Sequence, residues 1–460
     1  MLSFIGFLPA IIAYRIASGS SPSDAFLRVY IPVLLCLPDY YRVITPGVPD
    51  PTFNQGCALA IFIVAMSRGG FKGYRFSHLD IVVFIYSVLV FNSEYQASGY
   101  SDAQNLMFAM LFSVLTPYIM AKSYIEPAGM RFEFAKKVVI SLAIVSFIDL
   151  YESRFGANVW QLLLGRFFPG QGEGWIVTFR FGMARTAGPF GHALLAGVIF
   201  MVGFRLQRWL HFSGAWPDKV KQFKWLPVKF PVFMSLVLFG GFFITFAKGS
   251  WLAGFLAALI VAAGATKQKL FAFLTVLVFL VAVGIPALTA FLAYASVGRA
   301  NAKDDNQETA CYRYELIQLY IDIAKEKELT GWGLTKWPKV ATAPSIDNHY
   351  LLLFLMHGKL AFYCFLYVLI GTMVRLLVYG ISQPQPPSRG GSLAFTLAGI
   401  YLGYMIAIAT VYMGAQTIPM LFMLSGWSES ILKLKAKDYP PSGDIVPVST
   451  PPLFNFRRVV

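Results

Sequence analysis

The segment "FAFLTVLVFLVAVGIPALTAFLAYA" (Phe271 to Ala295) contains no charged residue. About 20 consecutive apolar residues cross the ~30 Å hydrocarbon core of a bilayer as a helix. Comparable runs recur along most of the chain. A spanning segment must satisfy its own backbone polar groups, and the helix does so alone. A membrane β-barrel needs ~10-residue stretches of alternating polarity, whereas these runs are continuous. The sequence therefore predicts an all-α polytopic membrane protein. Composition agrees: 57% of the 460 residues are hydrophobic and 13% are charged, against roughly 25% charged in soluble domains.

Candidate spans fall near 3–17, 27–44, 52–67, 79–92, 104–121, 137–151, 187–204, 230–247, 250–265, 270–292, 348–378, 392–412 and 415–432. Several are short, so the expected total is 12 or 13 transmembrane helices. "MLSFIGFLPAIIAY" lacks a basic n-region and a clear cleavage site, and is expected to stay as the first helix. Lys and Arg in short loops set orientation. "SRGGFKGYR" (67–75), "KSYIEPAGMRFEFAKK" (122–137), the strongly basic 205–229, "TKQK" (266–269) and the tail are expected inside, and acidic "NSEYQASGYSDAQ" (92–104) outside. These assignments alternate without conflict from the third span onward. The net charge of +15 is thus that of cytoplasmic loops, and no nucleic-acid partner is expected. Residues 1–432 read as a single transmembrane domain, and 433–460 as a Pro-rich, poorly ordered cytoplasmic tail. Cys36, Cys57 and Cys364 fall in apolar segments and Cys311 stands alone in a polar loop, so no disulfide framework or CxxC metal site is expected.

Two long segments remain on the outer face: loop A (152–186) and loop B (293–347). Against the positive-inside rule, loop A carries Arg154, Arg166, Arg180 and Arg185, and loop B carries Arg299 and Arg313. Lys248 sits in the short outer turn "FAKGSW". Each could snorkel to headgroups or pair with Glu152, Glu173 or Glu315. Taken together they suggest a shared anion site. "TACYRYELIQLYIDIAKEKEL" (309–329) reads as an amphipathic helix with Arg313, Leu316, Ile317, Tyr320 and Ala324 on its packed face. In "GWGLTKW" (331–337), Trp332 and Trp337 are interfacial anchors or sugar-stacking rings.

"PSIDNHYLLLFLMHG" (344–358) places Asp347, Asn348 and His349 at the lip of a span. With Ser345 as cap, all three fall in the first helical turn. The helix dipole there favours a carboxylate and a neutral imidazole, so the triplet suits either capping or general-base chemistry. His357, beside a glycine deeper in the span, reads as a helix–helix hydrogen-bonding residue.

"RTAGPFGHALLAG" (185–197), "TFAKGSW" (245–251), "YRYELIQLYIDIAKEKELTGWGL" (312–334) and "DNHYLLLFLMHGKLAF" (347–362) occur in this order across residues ~150–380. The set resembles the O-antigen ligase and polymerase superfamily, nearest to its Wzy-type exopolysaccharide polymerases. The resemblance implies a GT-C-like bundle with long periplasmic loops in the bacterial inner membrane. It implies undecaprenyl-diphosphate-linked glycans as donor and acceptor, with membrane lipids and polysaccharide export components as partners. No cofactor is expected, and no metal, since no carboxylate or His cluster suits Mg²⁺ or Zn²⁺. The implied activity is polymerisation of lipid-linked repeat units. The alternatives are ligation to lipid A–core and, outside the family, a flippase of lipid-linked sugars. Carried over by position, Arg313 and Lys248 would hold the diphosphate, with Lys248 where the family usually has Arg, and Arg185 and Arg180 of loop A are expected to join them as fixed outer-face cations. Asn348, Tyr314 and Trp332 would touch glycan. The family's "HN" pair is replaced by Asp347-Asn348 with His349 following, so either Asp347 or His349 takes the base role.

Overall fold

The computed structural model describes residues 2–45, 47–71, 74–172, 174–220, 227–383, 391–414 and 416–433. Glu173, Lys72 and nearly all of the tail lie outside this set. The architecture is all-α. Helices α1 (Ser3–Gly19), α2 (22–36, with a π turn at Phe26–Tyr30), α3 (Phe53–Ser67), α4 (His78–Ser98), α5 (Tyr100–Tyr124) and α6 (Arg131–Phe155) form the first half. Short α7 (Val159–Leu164) and a two-stranded hairpin, β1 (Phe179–Arg180) and β2 (Met183–Ala184), belong to loop A. Then follow α8 (Ala193–Phe212), α9 (Phe230–Ile244), α10 (Lys248–Gly264) and α11 (Lys269–Ala295). Loop B contributes α12 (Asp305–Glu326), and α13 (His349–Ser382), α14 (Leu393–Ala407) and α15 (Thr417–Lys433) close the bundle. By length and composition α5, α8, α11 and α13 are able to cross a membrane. Helices α1, α3, α9, α10 and α14 are apolar but shorter.

Two expected spans shift. The second span ends at Cys36 instead of reaching 44, because Pro38 ends the helix, and beyond it Arg42 pairs with Thr52 in an isolated antiparallel bridge. The seventh span starts and ends later than expected, at 193–212, so Arg205 and Arg208 are helical and not part of a loop.

Local chemistry explains several helix starts. At α3, Gln55 N–H donates to Thr52 Oγ1 (3.5 Å) and Thr52 N–H to Gln55 Oε1 (3.1 Å), a reciprocal capping box. Packing between spans relies on small residues, since lipid offers no hydrophobic drive for helix association. Gly426 lets α15 approach α5 so closely that an added Cβ would lie 2.0 Å from Tyr118 O. Helix α11 differs from the rest. Only its end residues Lys269 and Ala295 are buried, as expected of a helix apolar on all sides and bathed in lipid. Lys269 Nζ pins it by donating to Gly380 O (3.0 Å) and Gln383 O (2.5 Å).

A second small core lies where loop B covers the bundle. Leu316, Tyr320 and Ala324 of α12 pack with Ala343, Ile346, Leu351 and Leu355. Ile317, expected on that face, is 46% exposed. Helix α13 breaks at Gly358 (φ 75°, ψ 176°), and residues 328–333 insert into the break. There Trp332 N–H donates to Leu355 O (2.9 Å), Gly333 N–H to Met356 O (2.9 Å) and Lys359 N–H to Glu328 O (2.7 Å). The glycines of "GWG" thus serve this inserted turn. A Cβ at residue 358 would sit 2.3 Å from Leu329 O, in a backbone region other residues scarcely enter. Gly358→Ala is expected to cost more than the ~1–3 kcal/mol of backbone strain alone. A clear fall in the thermal unfolding midpoint of purified protein in detergent checks this.

Candidate functional site

Loop A brings two arginines together through one tight hairpin. Phe181 (φ 52°) and Gly182 (φ 75°) both have positive φ, the requirement of a two-residue turn with right-handed strand twist. Arg180 ends β1 and Arg185 follows β2, where Arg185 N–H continues the pairing to Thr178 O (2.9 Å). The turn between α9 and α10 then holds both side chains. Arg185 Nε donates to Thr245 O (3.2 Å), and Arg180 Nη1 to Phe246 O (3.2 Å). Arg185 is buried, at 8% exposure, and its guanidinium lies 5.7 Å from the Trp175 ring centre. Lys248, the first residue of α10, is exposed, and its Nζ donates to Asn306 Oδ1 in the first turn of α12 (3.2 Å).

Arg313 comes from α12, on the face of Leu316, Tyr320 and Ala324. It is half-buried and its Nε has no hydrogen-bond partner. Among the described residues no carboxylate lies within ion-pair distance of Arg180, Arg185 or Arg313. Their charges act on one another instead. Burial, then Arg180 and Arg313, lower the Arg185 pKa to about 10. Burial lowers that of Arg313, with Arg180 adding to the effect and Asp347 opposing it. Both stay cationic at neutral pH. Three like charges with no described carboxylate at ion-pair distance form a site complementary to a polyanion.

The other cations separate from this group. Arg299 pairs with Glu315 (2.8 Å) and donates to Thr342 O (3.0 Å), the ordinary ion-pair outcome. Arg154 and Arg166 are exposed. Glu152 takes no arginine, and accepts from Ala187 N–H (2.7 Å) and Gly188 N–H (3.1 Å), fixing the turn just after Arg185.

Asp347 is delivered by loop B. Tyr312 OH donates to Ser345 O (2.5 Å) and Tyr320 OH to Ala343 O (2.8 Å), so α12 clamps the irregular segment that leads to it. Burial raises the Asp347 pKa, while Arg313 and a Ser345 hydrogen bond pull it down. Ser345 is not the helix cap. The cap is Asn348, whose Oδ1 accepts from Tyr350 N–H (3.0 Å) and Leu351 N–H (3.2 Å), and α13 begins at His349. Asp347 therefore stands before the helix, and its charge reaches Arg313, Tyr312 and Tyr412.

His349 points elsewhere. It is buried, its ring meets Phe365 (5.2 Å between centres), and its Nδ1 accepts from Met413 N–H (3.2 Å). A backbone N–H can only donate, so the neutral ring carries its proton on Nε2 and has no lone pair left for a base. His357 hydrogen-bonds Ser93 Oγ across to α4 (2.6 Å). Trp332 donates to Ile323 O (2.9 Å), and Lys327 Nζ lies 4.2 Å from its ring centre. Ile323 is about 15 Å along α12 from Arg313, so Trp332 is remote from the arginines. Tyr314 is turned about 100° around α12 from Arg313.

The sequence reading missed His192, Trp175 and Tyr412. His192 caps α8, its Nδ1 accepting from Leu194 N–H (3.0 Å). Its ring lies 5.1 Å from Trp175, the ring beside Arg185, and 6.3 Å from Tyr412, which the Asp347 charge reaches. Burial and then Arg185 push its pKa down to about 4, so it is a neutral Nε2–H donor at pH 7. The histidine in "GPFGHALLAG" was the available signal, but nothing local tied it to residues 220 positions downstream, such as Tyr412.

Residues 233–366 match the family model described as O-antigen ligase (Wzy_C). The matched segment contains Lys248, all of α12 with Arg313, and Asp347–His349. Arg180 and Arg185 lie before it. No curated protein matches the chain. At the level of the superfamily, the match bears out the resemblance drawn from the four motifs.

Proposed function

We propose that this member of the O-antigen ligase and polymerase superfamily polymerises lipid-diphosphate-linked oligosaccharide repeat units on the periplasmic face of the inner membrane. The carrying observation is the trio Arg180, Arg185 and Arg313, without a carboxylate partner and beside Asp347. Undecaprenyl diphosphate is an anion of the kind such a trio fits.

In this reading an acceptor hydroxyl attacks the anomeric carbon of the donor glycan. The new C–O bond forms as the bond to the diphosphate breaks, and the electron pair leaves on the diphosphate oxygen. The three arginines, with Lys248 at the rim, stabilise that growing charge. Asp347, ionised, accepts the hydroxyl proton. Direct displacement inverts the anomeric centre. Asn348 Oδ1 is occupied in capping, which leaves its amide N–H groups for glycan. His349 acts as a positioning residue at the start of α13.

Since the arginines supply the charge stabilisation, polymer synthesis in vitro is expected to proceed in excess EDTA. Loss of activity restored by added Mg²⁺ would contradict this. The family description favours one second reading, ligation to lipid A–core. Deleting the protein separates the two. A polymerase leaves single lipid-linked repeats to accumulate, whereas a ligase leaves finished polymer unattached to lipid A–core. Purified protein that moves lipid-linked sugar across a bilayer and lengthens nothing would refute both.

A further inference from the structure

At the end of the bundle opposite loops A and B, α8 carries a buried arginine that the protein does not satisfy. Arg205 is 8% exposed, and its Nε has no hydrogen-bond partner. A carboxylate in such a place protonates; a guanidinium cannot discharge itself and keeps five N–H donors to fill. Arg208, one turn on, adds a second positive charge on the same side of the helix. Its guanidinium lies 4.6 Å from the Phe212 ring centre and shares a hydrogen bond with His211 Nδ1 (3.3 Å).

Acids at this end are engaged elsewhere. Asp80 pairs with Lys122 (2.5 Å), Glu126 with Arg131 (2.6 Å), Asp218 with Lys229 (2.9 Å) and Glu429 with Arg375. Exposed Glu133 lies in the field of Lys136. Among the described residues none is within ion-pair distance of Arg205 or Arg208.

We propose that Arg205 and Arg208 bind the phosphate of an anionic phospholipid in the leaflet opposite the reaction site. The shared chemistry is a phosphate oxyanion, which takes the guanidinium fork in two parallel hydrogen bonds. Depth selects the lipid over free phosphate. Arg205 lies about 10 Å inside the last residue of α8, where a soluble anion would have to shed its water and a headgroup already has its tails alongside. The charge distribution assigns this end to the cytoplasm, whose leaflet holds anionic lipid. The inference is independent of the activity proposed above.

The test is native mass spectrometry of the full chain, purified in detergent and supplied with equal phosphatidylglycerol and phosphatidylcholine. The wild type should retain phosphatidylglycerol about tenfold better, because phosphatidylcholine offers the same phosphate with a fixed choline cation that the two arginines repel. Arg205→Gln with Arg208→Gln should bring the ratio to unity while Arg205→Lys keeps part of it. A parallel arm adds millimolar inorganic phosphate alone. If phosphate displaces the lipid, or protects the protein from heat as well as phosphatidylglycerol does, the lipid assignment is wrong. Equal retention of the two lipids by the wild type, or an unchanged ratio in the double variant, overturns the site. Should the double variant not fold, the wild-type ratio and Arg208→Gln decide.

Discussion

Arg313→Ala is expected to lower the rate of glycan transfer by about 10²–10³-fold, the usual effect of deleting one fixed donor aimed at developing charge. The same variant should fold as well as the wild type. Arg313 has no ion pair, its Nε makes no hydrogen bond, and its neighbours Arg180 and Arg185 repel it. Arg185 is the less useful probe, because Thr245 O and Thr178 lose a partner when it is removed. Arg313→Lys keeps the charge and loses the fork, so its rate should fall between wild type and Ala. The measurement is initial rate on a purified lipid-linked repeat, beside the unfolding midpoint of each variant. A rate within threefold of wild type for a folded Arg313→Ala would remove the arginine trio from the mechanism. A rate loss matched by a fall in the midpoint would mean the residue is structural.

The part of this site that was legible in the sequence was the part set by a strong local rule. Cations on the wrong side of a membrane are conspicuous, and Arg180, Arg185 and Arg313 stood out on that ground, together with Arg154, Arg166, Arg299 and Lys248. Their convergence was not legible. It depends on two carbonyls of the 245–247 turn, which any residue would present, and on a hairpin whose positive φ at Phe181 has no sequence signal. The helix pattern of α12 placed Arg313, Leu316 and Tyr320 correctly and erred at Ile317, on the edge of the apolar stripe. Arg205 was lost for a related reason. Hydropathy ends a span at the first charge, but the α8 helix continues through Arg205 and Arg208 to Phe212. The assignment of the cap turned on one residue. Ser345 and Asn348 are both good caps, and the choice between them decides whether Asp347 is in the first turn or before it.

That choice makes Asp347 and His349 separable. Asp347→Asn is expected to lose about 10²–10⁴-fold in rate, the range for removing a positioned base. His349→Ala should act on stability, because it empties the contact with Phe365 and releases Met413 N–H. Its rate per folded molecule should stay much closer to wild type. The pH dependence carries the sign. A base works ionised, and burial raises the Asp347 pKa above the ordinary aspartate value of about 3.9. Activity should therefore fall as pH drops through that raised pKa, and this acid limb should vanish in Asp347→Asn. Arg313 holds the same pKa down, so the limb should move to higher pH in Arg313→Ala, by an amount that measures the coupling. Stability runs the other way. A carboxylate with a raised folded pKa loses stability as pH rises from its unfolded value through its folded one, because only the unfolded chain is then freely ionised. Asp347→Asn removes that penalty and should unfold at or above the wild-type temperature at neutral pH. A variant that is slower yet no less stable is what a buried reacting carboxylate predicts. If Asp347→Asn is both unstable and fully active per folded molecule, Asp347 belongs to the scaffold and the base lies elsewhere.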